Sequence, residues 1–148
     1  LKSKPFPSVT ATIKDAVKPW LKHAETFQFL QQQDRIIALP AAHANSITQL
    51  LNVLYIRSAG ILAGELIRND FIPAHHLAMS NVLQDAVPQI SVNKEQALAY
   101  LKRKDISVEN AVKGWTVVEY GGLYLGWIKV LNNRINNYYP TEWRILKD

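Results

Sequence analysis

Alternation of apolar and polar residues is clearest in the C-terminal third of the chain. Residues 113–120 (KGWTVVEY) and 123–130 (LYLGWIKV) both have the pattern of a half-buried strand, and Gly121-Gly122 separates them. Period-two alternation is typical of a strand with one buried face, and glycines accept the left-handed backbone angles of a two-residue turn. The pattern predicts a β-hairpin over residues 113–130.

The N-terminal half contains two further predicted strand pairs. Residues 26–40 (TFQFLQQQDRIIALP) hold two apolar runs, which predict strands joined near Gln33-Asp34, with Pro40 ending the second. Residues 53–66 (VLYIRSAGILAGEL) predict another pair joined at Ala59-Gly60. The chain should therefore contain several short strands.

Helical spacing of apolar residues predicts short helices between these strands. The first covers residues 13–21, where Pro19 should kink or end it. A short helical turn is predicted at residues 46–52. Another helix should start near Pro73 and continue toward residue 84, and the capping-box pattern at residues 93–96 should start the next.

Together these elements predict an α+β fold. We expect short mixed and antiparallel strands to form a small barrel-like sheet with short flanking helices. The expected organisation is a linker or helical segment over residues 1–25, an intermediate α+β domain over 26–90 and a third segment over 91–148. The stretch AVPQISVN around Pro88 is the predicted join.

Composition agrees with a globular chain. It has 148 residues, of which 48% are hydrophobic and 20% charged, and its apolar runs are too short to span a bilayer. We therefore expect a soluble, cytoplasmic protein that does not contact membrane. The first residue is Leu1 rather than methionine, which suggests a fragment of a longer protein.

Charge and cysteine content narrow the function classes. Seventeen Lys and Arg against twelve Asp and Glu give a net charge of +5, which is compatible with a nucleic-acid partner. The absence of cysteine excludes disulfides, thiolate zinc sites and cysteine nucleophiles in this chain.

The usual catalytic motifs are missing from the sequence. His75 and His76 are adjacent, so they would point to different sides of a helix, and neither has a Glu or His four residues later to complete a zinc pattern. The glycines do not form a phosphate-binding loop, and no serine lies in a GxSxG motif. We therefore favour packing and solvent exposure as the roles of this histidine pair, and assign the segment no catalytic residue and no metal.

The C-terminal third has a composition suited to RNA. Cations neutralise phosphates, aromatic rings stack unpaired bases, and asparagine amides both donate and accept hydrogen bonds at base edges. Asparagine pairs are also ordinary turn residues, and alternation should bury one of Tyr124 and Trp127. The candidate RNA-binding residues here are Trp127, Lys129, Arg134, Asn136, Asn137, Tyr138, Tyr139 and Arg144.

Residues 125–144 (LGWIKVLNNRINNYYPTEWR) resemble the C-terminal signature of RsmF-like RNA cytosine-5 methyltransferases of the Sun/Nop type. In that signature a Leu-Gly-Trp-Gly-Lys strand precedes a Lys-Asn-x-Tyr-Pro turn and a nearby Arg. Residues 56–66 and 71–79 resemble two upstream motifs of the same family, and residues 114–118 resemble the strand that opens its PUA-like module. The ordered resemblance covers residues 34–145. The matching positions are Arg57, Gly60, Gly64, Glu65, Phe71, Pro73, His75, Leu77, Ala78, Leu125, Gly126, Trp127, Lys129, Asn137, Tyr139, Pro140 and Arg144.

The resemblance implies a non-catalytic C-terminal region, made of the intermediate domain and a PUA-like RNA-binding domain over 91–148. Its role would be to position small-subunit ribosomal RNA for a catalytic domain absent from this chain. That domain would carry the catalytic cysteine and S-adenosylmethionine and make 5-methylcytosine. The expected partners are ribosomal RNA and the chain's own catalytic domain.

The resemblance also suggests roles for the candidate residues. Lys129, Arg134 and Arg144 would contact phosphate, and Tyr138 or Tyr139 would stack on a base. Asn136 and Asn137 would read base edges or hold the turn. Arg57 is a further candidate for the RNA face.

Four positions depart from the family pattern. Ile128 replaces a glycine, Asn136 a lysine, and Thr141-Glu142 a Lys-Gly pair. Fewer cations should loosen the contact with phosphate.

The alternative function is a scaffold domain that docks a catalytic domain or a ribosomal protein. A free-standing enzyme using His75 or His76 is disfavoured, because no partner group is in view.

Overall fold

The computed structural model describes residues 9–147, and it divides into two compact units between Gln84 and Asp85. Each unit contains one four-stranded sheet. The helices in the described part are α1 (Ala11–Val17), α2 (Ala44–Val53), α3 (His75–Ala78) and α4 (Lys94–Leu101). The strands there are β1 (Phe27–Gln32), β2 (Arg35–Pro40), β3 (Ile61–Ile67), β4 (Asp70–Pro73), β5 (Gln89–Ser91), β6 (Gly114–Tyr120), β7 (Leu123–Val130) and β8 (Ile135–Asn137).

The first unit is built on an antiparallel meander in the order β1-β2-β3-β4. The predicted hairpin over residues 26–40 is confirmed, and Gln33 takes a left-handed φ of 57° in its turn. Leu30, Leu39 and Ala44 form a buried cluster that joins this hairpin to the start of α2. Apolar contact between hairpin and helix therefore stabilises this part of the unit.

The strand predicted over residues 53–58 is wrong. Helix α2 continues through Val53, and only the second half of the predicted pair becomes a strand, β3. The turn of the hairpin falls later, at Arg68-Asn69, where both residues have left-handed φ values. Gly60 does take the predicted left-handed φ, 72°, and a Cβ there would also lie 2.5 Å from the Ala38 carbonyl oxygen.

The helix predicted from Pro73 toward residue 84 is also wrong in extent. Pro73 ends β4, and α3 stops at Ala78. Residues 82–84 pair instead with residues 20–22 through an isolated bridge. This pairing needs extended backbone, so the helix cannot continue. The predicted break before Pro19 is confirmed, because α1 ends at Val17.

The second unit holds a mixed sheet in the order β5-β6-β7-β8. β5 pairs parallel to β6, and the other pairs are antiparallel. The predicted hairpin with its Gly121-Gly122 turn is confirmed, and both glycines have left-handed φ values, 61° and 83°. A bulge interrupts its register between Val118 and Glu119.

Helix α4 packs on one face of this sheet. Its predicted capping box is confirmed: the Asn93 Oδ1 accepts the Gln96 N–H, and the Gln96 Oε1 accepts the Asn93 N–H. Tyr100 is fully buried in the core, and its hydroxyl donates to the Trp127 carbonyl at 3.1 Å. Burial raises the pKa of this phenol, so it stays a donor. The core residues are Val92, Ala97, Tyr100, Ile106, Val118, Ile128 and Val130.

The α+β class is confirmed. Within residues 9–147 the strands form two separate four-stranded sheets and not one small barrel-like sheet. The first eight residues of the predicted segment 1–25 lie outside the described residues, whereas Ile13, Val17 and Leu21 are buried within the first unit. No helix among the described residues is long and apolar enough to cross a bilayer.

Candidate nucleic-acid interface

Register places four chemically suited side chains on one face of the second sheet. Trp115 lies opposite Lys129, and Lys129 lies opposite Asn136 on the next strand. The Tyr138 N–H donates to the Trp127 carbonyl at 3.0 Å, which extends the pairing of β8 by one residue. Because cross-strand neighbours share a face, Trp115, Lys129, Asn136 and Tyr138 form a group that we name the cation-aromatic face.

Trp115 is the centre of this face. The Lys129 ammonium lies over its ring, 5.1 Å from the ring centroid, and the Tyr138 ring packs edge-on against it with centroids 4.4 Å apart. A cation held over an indole is attracted by the electron-rich face of the ring. No carboxylate in the described part of the chain forms an ion pair with Lys129. The positive charge is therefore positioned but not neutralised.

Exposure on the cation-aromatic face is partial. Trp115, Lys129 and Asn136 are half-buried, and Tyr138 is 36% exposed. A half-buried lysine that lies over an aromatic ring is less screened by water than a free surface lysine. The face offers a cation, an aromatic edge and an amide within adjacent strands, which is the combination that holds single-stranded nucleic acid.

Trp115 was absent from the candidates proposed from the sequence. The sequence places Trp115 at the start of a predicted strand. Which residue lies opposite Trp115, however, depends on the register of the hairpin. The Gly121-Gly122 turn alone would set Trp115 opposite Ile128, whereas the bulge sets it opposite Lys129. The cation-aromatic face therefore depends on a feature that hydrophobic alternation does not report.

Three of the candidates serve the fold. Trp127 is 1% exposed, so its ring has no surface left for a base. The Asn137 amide donates to the Tyr100 carbonyl at 2.9 Å, and its Oδ1 accepts the Tyr139 N–H at 2.9 Å. The Tyr139 ring packs against Tyr100 with centroids 5.5 Å apart. Asn137 and Tyr139 thus tie β8 to the end of α4, whereas the Trp127 ring packs edge-on against Trp115 with centroids 6.3 Å apart.

The remaining candidates lie apart from this sheet face. Arg134 is exposed in the turn between β7 and β8, and Arg144 is exposed after the 3₁₀ turn Thr141–Trp143. Arg57 is exposed in the loop between α2 and β3 of the first unit. Of the predicted set, the structure thus brings Lys129, Asn136 and Tyr138 together.

The departures from the family pattern fall in different environments. Ile128 is fully buried and packs in the core beneath α4, so it does not alter the cation-aromatic face. Asn136 lies on that face, directly opposite Lys129. Replacement of a lysine there leaves one ammonium on the face where the pattern would place two.

The structure also bears on the histidine pair. His75 is half-buried and His76 is exposed. Burial lowers the pKa of His75, and the neighbouring His76 lowers it further. The residues described by the structure contain no group of three or more His, Cys, Asp or Glu suited to a metal ion.

The known proteins that this chain resembles include ribosomal RNA methyltransferases, which agrees with the chemistry of the cation-aromatic face. Residues 87–145 match the family described as the methyltransferase RsmF PUA domain. The chain is 26% identical over 115 residues to the ribosomal RNA small subunit methyltransferase F of Shewanella loihica, covering 76% of this chain and 22% of that protein.

Two further relatives carry the same name. The protein from Vibrio vulnificus is 28% identical over 98 residues, or 66% of this chain and 21% of the relative. The protein from Shewanella oneidensis is 41% identical over 61 residues, or 40% of this chain and 12% of the relative. The chain thus spans about a fifth or less of the curated relatives it matches. The resemblance to an RsmF-like C-terminal region is confirmed.

Proposed function

We propose that this RsmF-like C-terminal region binds RNA through the cation-aromatic face. The observation that carries the proposal is the Lys129 ammonium held 5.1 Å from the Trp115 centroid while Tyr138 packs on the same ring. Lys129 contacts a phosphate, Tyr138 stacks on an unpaired base, and Asn136 bonds a base edge. Arg134 and Arg144 add phosphate contacts from the neighbouring turns, and Arg57 is a separate candidate phosphate contact on the first unit.

The wider role that we propose is to position small-subunit ribosomal RNA for a methyltransferase domain outside this chain. The names of the relatives and the PUA match support this role. That domain would use S-adenosylmethionine to make 5-methylcytosine in the cytoplasm. An enzyme that modifies a base must take it out of the stack, so a separate RNA-holding surface assists the reaction by fixing the flanking strand. Within this role, residues 26–90 and 91–148 remain the proposed intermediate and RNA-binding domains.

A second candidate function is protein docking. Leu50, Val53, Leu54 and Tyr55 are exposed around the end of α2, and Tyr55 is 94% exposed. Neighbouring exposed apolar side chains are typical of protein interaction surfaces. This patch favours a scaffold role in the first unit, which could accompany RNA binding by the second.

Salt dependence separates the two functions. Affinity for a fluorescent single-stranded RNA should fall steeply with salt, because each phosphate contact releases counterions. The Lys129→Ala/Arg144→Ala pair removes two contacts and should lower the slope of log affinity against log salt by about 1.4. Fluorescence anisotropy over a salt series measures this slope.

Lys94→Ala is the matched control. Lys94 is an exposed cation at the start of α4, away from the cation-aromatic face. It should leave affinity and slope close to those of the unaltered chain. Absence of RNA binding, or binding insensitive to salt and to the double substitution, would overturn the proposed RNA-binding function.

A further inference from the structure

A polar groove lies beside the cation-aromatic face in the second unit. Its volume is about 760 Å³, and it is lined by residues 105–108, 110 and 111 of one loop and by residues 130, 131 and 133–136. Grooves of this size fall within the range of small-ligand sites. Asn136 lines the groove and also belongs to the cation-aromatic face, so the groove and the face share a residue.

Backbone and side-chain hydrogen bonds hold both walls of the groove in place. The Asn137 amide donates to the carbonyls of Tyr100 and Lys104, at 2.9 and 3.4 Å, and so ties β8 to the segment that leads into the loop. On the other wall, the Leu131 N–H donates to the Arg134 carbonyl at 2.9 Å and closes the turn that carries Arg134. The groove is therefore largely formed before a ligand binds.

The floor and the rim have different chemistry. Ile106 and Val130 are buried and give the groove an apolar floor suited to a planar ring. Asp105 and Arg134 are exposed at the rim and carry opposite charges. Neither forms an ion pair with any residue that the structure describes. Both charges therefore remain available to a ligand that has an anionic group and, separately, N–H donors.

A nucleotide has both features. A guanidinium pairs with a phosphate through parallel N–H donors, and a carboxylate accepts two parallel N–H bonds. On the Watson–Crick edge, guanine alone of the four bases places two adjacent donors, N1–H and N2–H, side by side. A carboxylate that faces this edge of the base would therefore favour guanine over adenine, cytosine and uracil.

We propose that the groove binds one guanosine nucleotide of a single-stranded RNA. Arg134 contacts its phosphate, Asp105 accepts the N1–H and N2–H donors, and the base lies on the apolar floor. This inference rests on the proposed RNA-binding function and adds a base preference to it. The cation-aromatic face holds the adjoining nucleotides without regard to sequence, because stacking tolerates every base.

The test compares uridine-rich fluorescent oligonucleotides that differ at one central position. The centre is guanosine, inosine, adenosine or uridine, and binding is followed by anisotropy at fixed salt. A bidentate contact discriminates by about tenfold, so guanosine should bind about tenfold more tightly than adenosine. Inosine lacks the N2 amino group and should lie between them.

Substitutions assign the two contacts. Asp105→Asn should remove the preference for guanosine while binding to the uridine-only oligonucleotide is unchanged. Arg134→Ala should weaken binding to all four oligonucleotides by the same factor. Glu109→Gln is the matched control, because Glu109 is an exposed carboxylate of the same loop that does not line the groove.

The outcomes distinguish the groove from the underlying function. Equal affinities for guanosine and adenosine, or a preference that survives Asp105→Asn, would overturn the guanosine site. If the RNA still depended on Lys129 in that case, the proposed RNA-binding function would stand. Failure of all four oligonucleotides to bind would overturn both.

Discussion

At the scale of single residues, Tyr138 is the clearest test of base stacking. It keeps 36% of its surface exposed while its ring packs on Trp115. Stacking of a base on an aromatic ring contributes about 1–3 kcal/mol. We expect Tyr138→Ala to weaken RNA binding by about this amount, and Tyr138→Phe to bind almost as well as tyrosine because the ring is retained. Anisotropy titrations with one oligonucleotide measure both.

Tyr120→Ala is the control for Tyr138. Tyr120 is 39% exposed, but it lies at the far end of the β6–β7 hairpin, beside the glycine turn. Its loss should leave RNA affinity unchanged. Equal weakening by the two alanine substitutions would argue against a specific stacking role for Tyr138.

Glu119 gives the second unit a dependence on acid. The Ser91 hydroxyl and the Gly122 N–H both donate to its carboxylate and lower its pKa below the ordinary value of 4.5. A carboxyl with a lowered folded pKa contributes stability above its unfolded pKa and loses it as pH falls through the folded one. Urea unfolding at several pH values should show stability falling below pH 4.5.

Glu119→Gln should remove that part of the pH dependence. The substituted chain should be less stable than the unaltered chain at neutral pH, and the difference should shrink as the solution becomes acidic. Glu109→Gln, at an exposed site of the same unit, should follow the unaltered chain throughout. A Glu119→Gln difference that stays constant between neutral and acidic pH would contradict this account.

The sequence predicted the kinds of residue in the site better than their positions. Lys129 and Tyr138 could be proposed from their chemistry, and alternation correctly predicted that one of Tyr124 and Trp127 is buried, which the structure shows to be Trp127. Trp115 could not be proposed, because its neighbour is decided by a bulge. Asn137 has the same side chain as Asn136, yet only contact with α4 shows that it serves the fold.

At the scale of the elements, Asn137 joins β8 to the end of α4. Its amide and carbonyl oxygen make three hydrogen bonds, to Tyr100, Lys104 and Tyr139. Removing a partly buried group with several partners costs about 1–3 kcal/mol. We expect Asn137→Ala to lower the free energy of unfolding by about this amount, measured by urea denaturation.

Asn132→Ala is the matched control for this prediction. Asn132 is exposed in the turn before β8, and its side chain makes no hydrogen bond within the described residues. Exposed substitutions of this kind change stability by about 0.5 kcal/mol or less. A small effect of Asn137→Ala, similar to that of Asn132→Ala, would show that β8 is held by its strand pairing alone.

Local signals predicted the elements that depend on local chemistry. The glycine turn and the capping box are present, because turn angles and helix caps are set by a few neighbouring residues. The errors occur where distant contacts decide. Residues 82–84 were predicted to be helical but instead form a bridge with residues 20–22. Strand β5 forms only by pairing with β6. Hydrophobic spacing carries no information about those partners.

At the scale of the whole molecule, the chain consists of two units with different surfaces. The first has an exposed apolar patch at the end of α2, and the second has the cation-aromatic face and the polar groove. An apolar patch suits a protein partner, whereas a cation beside aromatic rings suits single-stranded RNA. We therefore expect RNA contacts to concentrate in residues 85–147.

Photocrosslinking tests this central claim most directly. The chain would be irradiated with a single-stranded RNA that contains 4-thiouridine, and crosslinked peptides would be located by mass spectrometry. The account predicts crosslinks at Trp115, Lys129 or Tyr138 in excess of those at Tyr55, although Tyr55 is 94% exposed. Crosslinks concentrated at Tyr55 or elsewhere in residues 9–84, with none on the cation-aromatic face, would contradict it.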